Sequence, residues 1–324
     1  MTTWLVTGGA GYIGSHVARA LRESGRDVVV LDDLSTGLAS FVDSDVAFVH
    51  GDVDDPAAVR AALAGHVAGV VHLAAFKYAG VSVERPLETY RRNVSGTITL
   101  LEGMLEAGVQ RLVFSSSAGV YGTPHVDQVT EETPHAPESP YGASKSMDER
   151  IIDDSAAVTA LAATSLRYFN VVGSGYPDVW DVSPYNLFPA VMRALVAGRR
   201  PWVTGTDYPT PDGSCVRDYV HVADIALAHV AAAAALEEGR PLERAYNLGS
   251  GAGLSVLEIM DAFRRITGID FAPELRERRP GDPARIVASG RRAARDLDWA
   301  MRHSVDDMVA SAWASWPKDA AQPA

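Results

Sequence analysis

The sequence predicts an α/β protein, a doubly wound parallel sheet followed by a second, smaller mixed α/β domain. Three observations carry this expectation. Short apolar runs alternate with amphipathic stretches through the first half of the chain, the pattern of successive βαβ units. Three glycines, Gly8, Gly11 and Gly14, stand where the first apolar run gives way to the first amphipathic stretch. From Val171 the alternation weakens into loops rich in proline and aromatic residues between separated helices.

The first strand is Trp4-Leu5-Val6, and the helix opened by the glycines runs to about residue 24. Without Cβ atoms the backbone turns sharply and lets an anion come close. The free N–H groups and positive dipole end of the new helix, at Tyr12 and Ile13, then face a diphosphate. A second strand, residues 28–31, delivers Asp32 and Asp33 at the distance where a carboxylate meets an adenosine ribose. Such an acid accepts the free ribose hydroxyls and repels a 2′-phosphate, which favours NAD over NADP.

Strands are expected at 46–50, 69–73 and 111–114, and helices at 56–63 and 86–107. In parallel sheets ligands lie at the carboxyl ends of strands, so Asp32, Asp52, Val53, Leu73, Ala74, Ala75, Lys77 and Ser115 to Ser117 become site candidates. Proline in Ser139-Pro140-Tyr141-Gly142-Ala143-Ser144-Lys145 fits a helix entry, and the helix is expected to continue to about 163. Tyr141 and Lys145, four residues apart, then share one helix face. A sixth strand covers 165–170, and later helices are expected near 187–196, 222–238, 255–267 and 305–316. The division expected is 1–170 for the nucleotide-binding domain and 171–324 for a substrate domain, with some chain returning to the first near 215–245.

The net charge of −12 argues against broad binding to nucleic acid or anionic membranes. The single cysteine, Cys215, excludes an internal disulfide and fits a reducing, cytoplasmic setting. No signal peptide precedes the first strand, and the longest apolar stretch, 225–236, is too short to span a bilayer. The histidines show no metal-ligand spacing, so no metal is expected. Arg291, Arg292 and Arg295 read as a solvated helix face.

Tyrosine is a poor base at its ordinary pKa near 10 and needs a fixed cation to become phenolate at neutral pH. Lys145 supplies one. A serine hydroxyl at the end of the fifth strand, Ser117 by position, completes a proton path between a substrate hydroxyl and the phenol.

With these residues in place the chain resembles the extended short-chain dehydrogenase/reductases, and within them the UDP-glucose (UDP-galactose) 4-epimerases, which share the Rossmann sheet. The resemblance spans nearly the whole chain. It rests on Thr7-Gly8-Gly9-Ala10-Gly11-Tyr12-Ile13-Gly14, His72-Leu73-Ala74-Ala75-Phe76-Lys77, Asn93-Val94-Ser95-Gly96-Thr97, the serine and Tyr141/Lys145 segments, and Arg167-Tyr168-Phe169-Asn170. More specific still are Val216-Arg217-Asp218-Tyr219-Val220-His221 and Arg279-Pro280-Gly281-Asp282.

By this resemblance NAD is a retained cofactor lined by Lys77, Asn93 and Phe169. Asn170, Asn186 and Leu187 hold the diphosphate and sugar, Trp202, Val203 and Thr204 the uracil, with Tyr219 beside them. Arg217 and Arg279 neutralise the diphosphate and Asp282 holds its ribose. Lys77, Ser117 and Tyr141 also meet the substrate. The implied reaction inverts C4 of a UDP-hexose through a 4-keto sugar that turns over before being reduced again. A homodimer is implied, paired through helices 86–107 and 141–163 as a four-helix bundle.

Four positions depart from the pattern: Gly119, Arg92, Ile286 and Ser289. Ile286 stands where many members carry tyrosine, which implies room for a UDP-N-acetylhexosamine. Ala118-Gly119 follows Ser117 where 4,6-dehydratases have Asp-Glu, so elimination lacks its catalysts. A UDP-glucuronate 4-epimerase or decarboxylase stays open. An NAD-sensing module without turnover has no use for Tyr141 with Lys145.

Overall fold

The computed structural model describes residues 1–278 and 282–318. The first half builds β1 (Thr3–Thr7), α1 (Tyr12–Glu23), β2 (Asp27–Asp32), β3 (Ala47–His50), α2 (Pro56–Ala62), β4 (Val67–His72), α3 (Ala79–Glu84), α4 (Pro86–Tyr90), α5 (Gly96–Ala107), β5 (Arg111–Ser117), α6 (Pro140–Val158) and β6 (Ala162–Tyr168). The second half adds β7 (Asn170–Val172), α7 (Leu187–Val196), β8 (Trp202–Thr204), β9 (Val216–Arg217), β10 (Tyr219–His221), α8 (Val222–Glu237) and β11 (Ala245–Leu248). It ends in β12 (Leu254–Ser255), α9 (Val256–Thr267), β13 (Glu274–Arg276), β14 (Arg285–Ile286), α10 (Arg291–Leu297) and α11 (Val305–Ser315).

Seven strands form one parallel sheet in the order β11-β6-β5-β4-β1-β2-β3. The winding direction reverses between β1 and β4, which opens a crevice at their carboxyl ends. Strand alternation sends Trp4, Val6 and Val30 to one face and Leu5, Leu31, Val70 and Leu112 to the other. The first face is covered by α1 and α8, the second by α2, α5 and part of α6. From the second half of the chain, α8 packs on this sheet and β11 joins its edge. A separate apolar cluster joins Phe188 and Met192 of α7, Ile259 and Phe263 of α9, and Met308 of α11. Ser255 with Glu258, and Ser304 with Asp307, form capping boxes that start α9 and α11. Among the described residues no helix is long and apolar enough to cross a membrane.

Three elements differ from the sequence expectation. The helix of 86–107 is continuous but carries a π-helical turn at Arg91–Ser95, and a short helix, α3, precedes it. The helix entered at Pro140 ends at Val158, because Ala162 and Ala163 are drawn into β6 by pairing with Arg111 and Leu112 of β5. Tertiary pairing overrides the helix propensity of alanine there. The sixth strand divides at Phe169: Asn170 leaves the sheet, donates its N–H to Asp218 O at 2.9 Å, and starts β7, paired with β10.

Candidate active site

A cavity of ≈ 690 Å³ opens at the carboxyl ends of β1, β2, β4 and β5 and runs into the second half of the chain. Its floor is the glycine turn. Gly8 has φ +71°, and a Cβ there would lie 2.7 Å from Ala74 N. A Cβ on Gly14 would lie 2.0 Å from Gly8 O, so the turn packs backbone on backbone. Gly11 is the N-cap of α1, no side chain caps it, and no acid stands in the first turn. That leaves a cradle suited to the diphosphate of a dinucleotide.

Asp32, almost fully buried at the end of β2, accepts Ala10 N–H at 2.9 Å and Leu34 N–H at 2.8 Å. Burial raises its pKa while those two amides lower it. Asp33 accepts from Ser35 N and Oγ, and its other oxygen lies 3.2 Å from Arg92 Nη1. Both acids line the cavity, with Gly8, Gly11, Tyr12, Ile13, Gly14, Asp52, Val53, Leu73, Ala74, Ala75, Lys77 and Phe169. Asn93 does not line it. Its amide clamps the loop behind the wall, accepting Phe76 N–H at 2.6 Å and donating to Phe76 O at 3.1 Å and Ser144 Oγ at 2.8 Å. In this structure Asn93 thus supports the loop that carries Lys77.

Ser117, Tyr141 and Lys145 converge on the same cavity. Ser139 caps α6 by accepting Gly142 N–H, and Tyr141 N–H donates to Ser82 Oγ at 3.1 Å, so the tyrosine enters from a pinned first turn. Burial raises the Tyr141 pKa; a hydrogen bond with the Ser117 hydroxyl opposes the rise, and Asp148 adds to it. Lys145 Nζ donates to Ser115 O at 2.9 Å and sits 4.5 Å from the centre of the Phe114 ring. Burial pulls its pKa down to about 8 against the pull of Asp148 and Glu149.

On the far side, Asn170, Asn186, Leu187, Trp202, Thr204, Arg217, Tyr219 and Asp282 line the cavity. Arg217 is held by its own neighbours: Nη1 donates to Val216 O at 2.9 Å and Pro283 O at 2.8 Å. Asn186 Nδ2 donates to Asp181 Oδ2 at 2.7 Å. Two of the expected contact residues stand outside the cavity lining. Val203 faces the apolar cluster of the second half, because strand alternation points only Trp202 and Thr204 to the cavity. Ile286 pairs with Arg217 on a neighbouring strand and is not part of the cavity lining. Arg279 lies outside the described residues.

Sequence reasoning missed Tyr78 and Asp181, which line the cavity together with Arg92 and Tyr185. Asp181 is buried and accepts Ser183 N–H at 3.0 Å. The turn pattern of Asp181-Val182-Ser183 was its one local signal.

The NAD dependent epimerase/dehydratase family model matches residues 4–249. The UDP-glucose 4-epimerase of Corynebacterium glutamicum is 43% identical over 315 residues, 96% of this chain and 94% of that protein. The Streptomyces lividans enzyme of the same name is 43% identical over 316 residues, with the same coverage. A solved UDP-glucose 4-epimerase from Stenotrophomonas maltophila, with bound NAD and formylated UDP-arabinopyranose, superposes with a TM-score of 0.92 at 40% identity over 97% of each chain. The Bifidobacterium longum enzyme, solved with NAD+ and UDP, gives 0.88 at 37% identity, over 97% of this chain and 98% of that one. With most of its length matched by the family model, and a cradle and tyrosine-lysine pair in one cavity, the chain belongs to the NAD dependent epimerase/dehydratase family.

Proposed function

We propose that this protein is an NAD-dependent UDP-glucose 4-epimerase that interconverts UDP-glucose and UDP-galactose. The observation that carries the reading is that Ser117, Tyr141 and Lys145 line one cavity together with the glycine cradle and with Arg217 and Asp282. In this reading residues 1–170, joined by α8 and β11, hold the cofactor, and the rest of the second half holds the nucleotide sugar.

The glycine cradle, Asp32 and the wall from Leu73 to Lys77 fit NAD, since any side chain at Gly14 would collide with Gly8. NAD held by these residues would supply a hydride acceptor for the C4 hydrogen of the sugar and a donor for its return. Tyr141, as phenolate, takes the proton of the 4-hydroxyl, and the Ser117 hydroxyl bridges substrate and phenol. Burial by itself keeps Tyr141 a phenol. The ammonium of Lys145, one helical turn away, is the cation that opposes this. Arg217, preset by two carbonyls, grips the diphosphate while the hexose stays free to turn.

The reading extends to UDP-N-acetylhexosamines through Ile286, which pairs with Arg217 beside the cavity without reaching into it and so leaves space that a tyrosine there would fill. A homodimer is part of the proposal: Val83, Leu87, Ile98, Leu105 and Met147 leave apolar side chains exposed on α3 to α6. Light scattering at micromolar concentration should give twice the chain mass, and a monomer would count against it. The single cysteine supports a reducing, cytoplasmic setting.

The deciding experiment is NMR of UDP-glucose, UDP-N-acetylglucosamine and UDP-glucuronate after incubation with pure protein. UDP-galactose should form without added cofactor. Release of CO2 or a new uronate from UDP-glucuronate, with UDP-glucose untouched, would replace this reading by the uronate one.

A further inference from the structure

One turn beyond Lys145 on α6, at the spacing that puts two side chains on one helix face, stands Asp148. It is 1% exposed, and neither carboxylate oxygen has a hydrogen-bond partner of good geometry among the described residues. A buried carboxylate in that condition costs several kcal/mol as an anion unless a cation stands near it. Lys145 is the cation. Tyr141, Lys145 and Glu149 face Asp148 from its own helix, and Thr97 faces it from α5. Behind Thr97 stands His72 of β4, its Nε2 3.1 Å from Thr97 Oγ1.

Glu149, the other anion near Lys145, is already committed. Its Oε1 accepts Ser116 Oγ at 2.5 Å and Arg167 Nε at 2.9 Å, and its Oε2 accepts Arg167 Nη2 at 2.5 Å. Lys145 itself has one carbonyl, that of Ser115, and an aromatic face, and it is 3% exposed. Asp148 and Lys145, side chains of opposite charge, are thus enclosed together on one helix face.

We propose that Asp148 is a positioning residue for Lys145, its buried carboxylate being the counter-charge that keeps the Lys145 side chain an ammonium beside Tyr141. The assignment deepens the reading of Lys145 as the cation that activates the tyrosine, and rests on it. Asp148 has two opposed effects. Its negative charge favours the Lys145 ammonium, and the same charge disfavours the Tyr141 phenolate. The alkaline end of the working range is then set by how long Lys145 keeps its proton, and Asp148 extends it.

The chain has three lysines, Lys77, Lys145 and Lys318, so protein labelled with [6-13C]lysine gives three resonances that single Lys→Arg variants assign. The Lys145 signal should titrate about one unit lower or more in Asp148→Asn than in the wild type. Asp148→Glu should restore most of the shift. The alkaline limb of kcat should move down with it at unchanged KM. In the wild-type protein the Lys145 signal should show a second inflection near pH 6, where Asp148, lifted by burial, changes charge. Should the Asn variant fail to fold, that inflection decides. An unmoved Lys145 titration in Asp148→Asn, or a single inflection in the wild type, would overturn the proposal. The titration reads the Lys145 charge whether or not UDP-glucose is turned over, so its outcome stays separate from that of the epimerase reading.

Discussion

Arg217 Nη2 stands 3.5 Å from Asp282 Oδ1 across the far end of the cavity, with the same guanidinium fastened to the carbonyls of Val216 and Pro283. A cation fixed in this way is ready for an anion before the anion arrives. Arg217→Ala should raise KM for UDP-glucose about 10- to 100-fold, the value of a charge-assisted hydrogen bond to phosphate. It should leave kcat within about threefold, because anchoring is the same in ground and transition states. A fall in kcat at constant KM, measured by steady-state kinetics, would place Arg217 at the reacting carbon instead.

Tyr141→Phe removes the hydroxyl and keeps the ring, the pinned α6 entry and every anchor. The expected loss is about 10²- to 10⁴-fold in kcat, the range for a general base, with KM little changed. Near-normal turnover by this variant would remove Tyr141 from the chemistry.

Asp32→Ala breaks the bonds to Ala10 and Leu34 and removes the carboxylate nearest the expected ribose. Copurified NAD should fall, and the preference for NAD over NADP in equilibrium dialysis should shrink. Asp33→Ala is the control, since Arg92 and Ser35 already occupy that side chain. If Asp33→Ala alone relaxes the preference, the second acid is the discriminating one.

Buried histidines set an acid limit to stability. Burial pulls His16 and His229 down to about 4 and His72 to about 3. The unfolded chain protonates these rings near 6.5 and the folded one does not, so over the interval between, the unfolded state binds more protons and stability falls as pH falls. Each ring removes about 3–5 kcal/mol across that whole window, of which about 2 kcal/mol falls between pH 7 and pH 5. Asp148, lifted to about 6 by burial, acts in the opposite sense between pH 4 and 6. The net expectation is a lower urea midpoint at pH 5 than at pH 7, with a smaller difference in His229→Gln. An equal difference in that variant would remove His229 from the account.

Glu149→Ala should cost about 3–5 kcal/mol in urea unfolding, because it leaves the Arg167 guanidinium buried beside Tyr121 without its anion. Glu149→Gln, which keeps the volume, should recover little of it. Wild-type stability in either variant would show that water or a rearranged Tyr121 replaces the carboxylate.

Much of the fold and site was legible in the order of residues. The glycine turn, the acids at the second strand end, the serine at the fifth and the Tyr141/Lys145 spacing are local patterns, and local patterns survive in one dimension because backbone sterics and helical period act over a few residues. The helix entry at Pro140 was readable for the same reason. The resemblance carried the far side of the cavity.

What only the tertiary structure decided lies wherever distant segments compete for the same backbone or the same space. The end of α6 was settled by β5 claiming Ala162, not by any residue within the helix. Val203 turned from the cavity because its strand packs the other way, and Asn93 was taken up by a loop 17 residues earlier. Asp181 entered the site from a loop without periodicity, and Asp148 became an enclosed charge only when α5 and β4 closed over α6. Burial, desolvation and pairing across the chain are sums over neighbours far apart in sequence. A sequence displays the groups that can take part in them, and the packed structure determines which ones do.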